Sequence, residues 1–157
     1  METNIGITQK NRSAVAAELS KLLADEFVLN TKTRNAHWNV EGKDFHAMHL
    51  FFESQYEELD DIMDQVAERI RKIGHYAPAT LKSFLKLTHL SENTERGNDS
   101  MNFIRELTED HESVITFIRG LIGKFADTYK DQGTSDFITQ LMETHEKMAW
   151  MLRAHLS

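Results

Sequence analysis

One long amphipathic stretch, residues 44–74, constrains the fold of this chain more than any other feature. Apolar side chains recur in it at every third or fourth position, which is the spacing of a buried helical stripe. These positions are Phe45, Met48, Phe52, Tyr56, Leu59, Met63, Val66, Ile70 and Ile73. Asp44 is a suitable helix cap and Gly74 a suitable terminator, so we expect one helix from Asp44 to Gly74.

Two pairs of candidate metal ligands lie on this helix. His49 and Glu53 are four residues apart and therefore share a face, as do Asp64 and Glu68. At ~1.5 Å per residue the two pairs are about 22 Å apart, so one helix cannot bring them together. A second copy, related by a twofold axis near positions 58 and 59, places His49 beside Glu68 and Glu53 beside Asp64. The spacing predicts a metal site shared by two subunits, whereas His49 and Glu53 in isolation also fit an ordinary surface pair.

Three further long helices and one short one are predicted. The long ones run from about Asn11 to Val40, from about Asn98 to Asp127, and from Thr134 or Ser135 to the C-terminus. The connection from His75 to Gly97 is too long for a hairpin, and Leu81, Phe84 and Leu85 indicate a short helix within it. We therefore predict an all-α, ferritin-like four-helix bundle with a short extra helix between helices two and three. A simple up-down bundle leaves the long connection unexplained.

Composition narrows the class of protein further. The 157 residues suit one bundle domain, residues 11–157, after a short flexible tail, residues 1–10. A net charge of −7 argues against electrostatic binding to nucleic acid or an anionic membrane and favours attraction of cations. The absence of cysteine excludes disulfides and thiolate metal sites. With no apolar leader and no run of about 18 apolar residues, we expect a cytoplasmic protein without a membrane partner.

The ligand types indicate the class of metal. Imidazole and carboxylate without thiolate suit iron, manganese or zinc. The bundle-core di-iron arrangement uses Glu-x-x-His motifs, and the sequence contains none, which favours an intersubunit site. His46 and His49, three residues apart, are an alternative pair, although we expect His46 to face solvent. The polar run Asn30–Asn35 before His37 is either a wall of the site or a solvent-facing surface.

Several runs of the chain together resemble a known family. They are Asn35–Gly42 (NAHWNVEG), then Phe45, His49, Phe52 and Tyr56, then Asp64–Gly74 (DQVAERIRKIG), Pro78–Leu81, and His145–Leu152 (HEKMAWML). This pattern resembles the Dps family, the mini-ferritins named as DNA-binding proteins from starved cells. The resemblance covers nearly the whole chain.

The resemblance implies a hollow dodecamer with tetrahedral symmetry that protects against oxidative stress. In such proteins Fe(II) is bound at twofold interfaces, oxidised preferentially by hydrogen peroxide, and stored as ferric mineral in the cavity. Carried over by position, His37, His49 and Glu53 come from one subunit, and Asp64 and Glu68 come from its mate. The family commonly has Asp where this chain has Glu53, which moves the carboxylate by about one methylene.

The resemblance also suggests roles outside the ligand set. Trp38 matches a site-adjacent tryptophan that donates an electron and quenches radicals, and an apolar wall is an equal alternative. The region that lines the acidic entry pores of the family matches Asp127, Asp131 and Asp136 of this chain, and Asp136 is the preferred pore residue. The alternative is a solvated cluster of charges at a turn.

The family name suggests DNA binding, which this sequence does not favour. The N-terminal tail region offers only Lys10 and Arg12 as basic residues, and twelve copies at −7 each repel phosphate. We expect weak or absent DNA binding and do not favour association with the nucleoid. The rival hypothesis is a non-enzymatic shell or nucleoid-packing protein whose metal site is unused or holds zinc.

Overall fold

The computed structural model describes residues 3–92 and 97–157. Its helices are α1 (Gln9–Asn39), α2 (Phe45–Lys72), α3 (Leu81–Leu87), α4 (Ser100–Gly123) and α5 (Gln132–Arg153). A π-helical turn, Lys124–Thr128, follows α4, and a 3₁₀ turn, Ala154–Leu156, follows α5. Residues 1 and 2 of the predicted tail and residues 93–96 of the predicted connection lie outside the described residues.

Contacts along α1 show that α2 and α4 both run antiparallel to it. His37, near the end of α1, bonds His49 near the start of α2. Glu18, in the first half of α1, pairs with Lys124 just beyond the end of α4. The helices α2 and α4 are therefore parallel to each other, and the segment between them must cross the length of the bundle. That requirement explains the long connection, which α3 partly fills.

The last helix closes the bundle. Ser135, at the start of α5, donates to the carbonyl of Ile122 at the end of α4, so these two helices form an antiparallel hairpin. Arg69, near the end of α2, bonds Thr134, so α5 also runs antiparallel to α2. Two hairpins joined by one crossover are the ferritin-like topology. The predicted fold class, including the short extra helix in the crossover, is confirmed.

The observed helix ends differ from the predicted ones by a few residues. The α1 helix begins two residues early because the Thr8 hydroxyl accepts from Asn11 N and caps it. Asp44 precedes α2 as predicted, but its carboxylate accepts from Ser100 Oγ at 2.6 Å and makes no capping bond. Gly74 follows α2 at φ 89°, a left-handed conformation that glycine adopts without strain.

The apolar stripe of α2 packs into the core as its spacing predicted. Phe52, Leu59, Val66 and Ile70 have no solvent exposure, whereas Phe45, at the first turn, is 45% exposed. Each fully buried side chain of this size contributes about 1.5–3 kcal/mol of transfer free energy. Within residues 3–92 and 97–157, no helix has both the length and the apolar character needed to cross a membrane.

Candidate metal centre

Two histidines from neighbouring helices form the centre of the candidate site. The rings of His37 on α1 and His49 on α2 stack with their centroids 3.8 Å apart and their planes 19° from parallel. The Nδ1 atom of His37 lies 2.8 Å from the His49 carbonyl oxygen, and the Nδ1 atom of His49 lies 2.7 Å from the His37 carbonyl oxygen. A carbonyl oxygen only accepts hydrogen bonds, so both Nδ1 atoms carry protons. In the neutral rings both Nε2 atoms therefore keep the lone pair that a metal ion needs.

The reciprocal bonds between these histidines come from the α1–α2 hairpin. A metal-binding histidine commonly donates its second ring nitrogen to a backbone carbonyl, which fixes the tautomer and the orientation of the ring. Here each histidine provides that carbonyl for the other, so the pair is oriented by its own backbone. His37 is buried and His49 half-buried, so the ring orientations are also held by packing.

Glu53 is the third predicted ligand from this chain, and it lies one helical turn after His49. Its side chain is half-buried, and its Oε1 atom accepts from the Tyr56 hydroxyl at 3.4 Å. The Tyr56 and His37 rings meet edge to face, with their centroids 5.2 Å apart. Through these contacts the structure brings His37, His49 and Glu53 into one patch at the α1–α2 surface.

The two remaining predicted ligands lie apart from this patch. Asp64 and Glu68 are exposed on the later half of α2, and Glu68 pairs with Lys72 at 3.2 Å. Across residues 3–92 and 97–157, no group of three or more His, Asp or Glu side chains of one chain forms a metal cluster. One chain therefore offers part of a ligand set, and the intersubunit arrangement stays a prediction.

Trp38 and the acidic residues of the α4–α5 turn occupy different environments. Trp38, next to His37, is 67% exposed. Asp127, in the π-helical turn, and Asp136, in the first turns of α5, are exposed as a channel-lining role requires. Asp131 is only 2% exposed, so its position differs from the other two.

Asp131 already has a role in the fold. Its Oδ1 atom accepts from Thr134 N at 2.9 Å, which caps α5, and from Arg69 Nη2 at 3.3 Å, which ties the cap to α2. Its Oδ2 atom accepts from the Thr134 hydroxyl. A carboxylate with these partners is held inside the protein, and we leave Asp131 out of the proposed pore.

The bundle core contains a row of buried, hydrogen-bonded polar side chains, which the sequence pattern predicted only in part. The Nδ1 atoms of His111 on α4 and His145 on α5 are 2.9 Å apart, and His145 Nε2 is 2.8 Å from Glu26 Oε1 on α1. Burial and the proximity of His145 lower the pKa of His111 well below its usual value. His111 lies four residues after Leu107 and three before Val114, a spacing that predicts a core-facing position. Glu26 lies four residues after Leu22 and three before Leu29, and this position on the apolar face of α1 was the available signal that its side chain is buried.

The polar second half of α1 is neither a plain solvent surface nor only a wall of the candidate site. Lys32 is 7% exposed, and its ammonium lies 2.9 Å from Glu106 Oε1 and 2.5 Å from Asp110 Oδ2 on α4. It also donates to the Ser91 carbonyl at 2.8 Å. Desolvation raises the pKa of Asp110, opposed by the hydrogen bond from Lys32. This cluster joins α1 to α4.

Comparison with known proteins identifies the family. A family model described as a ferritin-like domain matches residues 16–157. The chain is 35% identical over 139 residues to the DNA protection during starvation protein of Helicobacter pylori, covering 88% of this chain and 96% of that protein. The chain belongs to the Dps family of ferritin-like proteins. The resemblance noted in the sequence is thereby confirmed.

Two solved Dps structures share the whole fold, and one further relative is similar in sequence. The crystal structure of Dps from Vibrio cholerae superposes with a TM-score of 0.91 at 30% identity, covering 100% of this chain and 98% of that one. That protein is described as a member of a broad superfamily of ferritin-like diiron-carboxylate proteins. DpsC from Streptomyces coelicolor gives a TM-score of 0.94 at 25% identity, with coverages of 100% and 91%. A low temperature-induced protein of a Nostoc species is 39% identical over 153 residues, covering 98% of this chain and 86% of that protein.

Proposed function

We propose that this Dps-family chain binds Fe(II) at sites shared by two subunits, oxidises it with hydrogen peroxide, and stores the ferric product in a hollow dodecamer. The general role in this proposal, iron storage and protection, is supported by membership of the ferritin-like family. The observation that carries the site assignment is the stacked pair His37 and His49, whose Nδ1 protons are held by carbonyls. This arrangement leaves two Nε2 lone pairs for a metal ion.

In the proposed site, His37, His49 and Glu53 of one subunit meet Asp64 and Glu68 of its twofold mate. The exposure of Asp64 and Glu68 in the single chain leaves them accessible to a second copy. Two nitrogen and three carboxylate ligands suit iron, and the carboxylates favour the oxidised state, since Fe(III) gains more from negative ligands than Fe(II) does. Iron is here the substrate and the cargo.

The proposed reaction balances with one peroxide for two iron ions. Each Fe(II) loses one electron, and the two electrons break the O–O bond of hydrogen peroxide. Two protons complete the two water molecules, so 2 Fe(II), H₂O₂ and 2 H⁺ give 2 Fe(III) and 2 H₂O. Reduction by two electrons at one site avoids release of hydroxyl radical, which accounts for protection.

Exposed acidic residues near the end of α4 are the proposed entry route. Asp127 and Asp136 are exposed, and rings of carboxylates raise the local concentration of a divalent cation. DNA is not a proposed partner at physiological salt, because a chain of net charge −7 repels phosphate. A gel shift in low salt, repeated as the salt rises to the physiological range, tests this statement; strong binding that persists at physiological salt contradicts it.

Sedimentation velocity after anaerobic Fe(II) loading and stepwise addition of H₂O₂ tests the proposal. Twelve chains of 18.2 kDa, 12 × 18.2, give a shell of about 218 kDa, and ferric absorbance is expected to sediment with it. Ferric precipitate outside an intact shell contradicts storage.

Two substitutions with matched controls test the site. H49A and D64N are expected to lose peroxide-dependent oxidation while keeping the shell. The controls H46A and D61N change exposed residues of the same helix and are expected to behave as the wild type. Unchanged oxidation in both H49A and D64N contradicts the site assignment. A shell that takes up Zn(II) but oxidises no Fe(II) supports the non-enzymatic rival.

A further inference from the structure

Tyr56 contacts two of the proposed iron ligands. Its hydroxyl lies 3.4 Å from Glu53 Oε1, and its ring meets the His37 ring edge to face, at 5.2 Å and 78°. In this contact the phenol is the hydrogen-bond donor, because the Glu53 carboxylate accepts. A phenol carries its proton at neutral pH, so the Tyr56 hydroxyl is the donor to Glu53.

A polar cluster of Arg34, Asn30 and Asp60 holds Tyr56 in place. The Arg34 guanidinium lies 4.0 Å above the centre of the Tyr56 ring. Arg34 Nη2 bonds Asp60 Oδ2 at 2.6 Å, and Arg34 Nε bonds Asn30 Oδ1 at 3.0 Å. Asn30 donates in turn to Asp60 Oδ1 at 3.0 Å and to the Tyr56 carbonyl at 2.9 Å. The cluster therefore fixes both the ring and the backbone of Tyr56.

The same cluster controls the charge beside the site. An unpaired guanidinium next to a cation-binding site repels Fe(II), and such repulsion is weakly screened where water is partly excluded. Asp60 neutralises Arg34 at 2.6 Å, so Arg34 provides packing and hydrogen bonds without adding net positive charge.

We propose that Tyr56 is a positioning residue of the iron site, which orients Glu53 and His37 and is itself held by Arg34, Asn30 and Asp60. This inference rests on the proposed function, since it assigns Glu53 and His37 as ligands. The hydroxyl directs the longer Glu53 side chain, which stands where the family commonly has Asp. Tyr56 touches the ligands and acts through them.

We expect Tyr56 to affect the placement of the metal ligands more than the free energy of unfolding. The 3.4 Å contact with Glu53 is longer than the usual hydroxyl–carboxylate bond, so its contribution to folding is small. A hydrogen bond of about 0.5–1.5 kcal/mol corresponds to a change of about 2- to 10-fold in affinity. The metal affinity and the coordination geometry are therefore the quantities to measure.

The test is anaerobic titration of the assembled Y56F protein with Co(II), followed by its visible absorption. We expect the affinity to fall by about 2- to 10-fold and the band to change shape, because a displaced carboxylate alters the coordination. In Fe(II) oxidation with H₂O₂, the half-saturating Fe(II) concentration is expected to rise by a larger factor than the maximal rate falls. A purely structural role for Tyr56 does not change the Co(II) spectrum.

Y76F is the matched control. Tyr76 also carries a stacked arginine, Arg71 at 4.3 Å, but it lies beyond the end of α2 and is 87% exposed. Its Co(II) titration and its oxidation kinetics are expected to equal those of the wild type.

D60N is a second variant that leaves the phenol intact. It removes the charge that neutralises Arg34, so we expect weaker Co(II) binding that recovers as salt screens the guanidinium. Co(II) binding by the wild type, together with an unchanged spectrum and affinity in Y56F, overturns the role of Tyr56 and leaves the proposed function standing. Failure of the wild type itself to bind Co(II) or oxidise Fe(II) contradicts the proposed function.

Discussion

His111 and His145 face each other in the bundle core with their Nδ1 atoms 2.9 Å apart, and both rings are buried. One Nδ1 must donate and the other accept, so the two rings share a single proton on this contact. The other nitrogen of His145 bonds the buried Glu26 carboxylate at 2.8 Å. In this cluster His111 contacts His145 and not the Glu26 carboxylate, so a proton added to the buried His111 ring is a charge without a directly paired carboxylate.

The first prediction is an acid-dependent loss of stability from His111. Its pKa is lowered in the folded chain, so below about pH 6.5, the usual histidine value, the unfolded chain binds a proton that the folded chain refuses. The free energy of unfolding therefore falls as the pH drops below that value, by at most about 1.4 kcal/mol per pH unit for one proton. Above about pH 6.5 the contribution of the neutral His111 to the free energy of unfolding is fully present.

Denaturant unfolding of H111Q and wild type between pH 7.5 and 5, at one protein concentration, measures this slope. H111Q is expected to be less stable at pH 7.5 and to show the shallower dependence on pH. The control H46Q changes an exposed histidine and is expected to keep the wild-type slope. Equal slopes in H111Q and wild type contradict the assignment.

The second prediction concerns the buried ammonium of Lys32. Replacing it in K32M leaves Glu106 and Asp110 buried without their partner, which typically costs about 3–5 kcal/mol. The raised pKa of Asp110 means that the folded chain takes up a proton there more readily than the unfolded chain. Acid is therefore expected to recover part of the lost stability, and K32M to be least stable relative to wild type near neutral pH.

Thermal unfolding of K32M and K21M at pH 7 and pH 5 tests this expectation. Lys21 is on the same helix, but it pairs with Glu18 at the surface, where an ion pair contributes about 0–1 kcal/mol. A difference of less than about 1 kcal/mol between the two variants at pH 7 counts against a buried role for Lys32.

The fold was predictable from the sequence because its main signal is local. The spacing of Leu59, Val66 and Ile70 reports a buried helical face without knowledge of what packs on it. The length of the middle connection then selects the crossover topology, because parallel neighbours need a segment that spans the bundle. Only the helix ends were inexact, where capping depends on neighbours: Asp44 bonds Ser100 of a distant helix and does not cap α2.

The polar interior was less predictable because its partners are distant in sequence. Glu26 meets His145 across 119 positions, and Lys32 meets Glu106 and Asp110 on another helix. Spacing within one helix contains no information on these pairs. The candidate site was partly predictable, since His49 and Glu53 share a helical face, but the carbonyl bonds that orient the two histidines depend on how α1 and α2 turn.

The third prediction distinguishes two roles for Trp38. Phenylalanine keeps an apolar wall but is far harder to oxidise than indole, so W38F separates packing from electron donation. If Trp38 donates electrons, W38F keeps the rate of Fe(II) oxidation and loses the transient indolyl radical absorption after H₂O₂ addition. If Trp38 is only a wall, neither quantity changes. The control W150F replaces the other tryptophan, which is 63% exposed on α5.

The last prediction separates a pore residue from a structural cap at neighbouring positions. D136N removes an exposed charge, so we expect slower Fe(II) uptake by the assembled shell, mostly at low salt, with stability within about 0.5 kcal/mol of wild type. D131A removes the cap of α5 and the partner of Arg69, so we expect a loss of about 1–2 kcal/mol in unfolding free energy. Its uptake rate, measured where the shell is fully folded, is expected to stay near the wild-type value.

D131N, whose amide oxygen can still cap, is expected to be more stable than D131A. Stopped-flow uptake and denaturant unfolding of the three variants measure both quantities, and slow uptake in D131A with normal uptake in D136N reverses the two assignments.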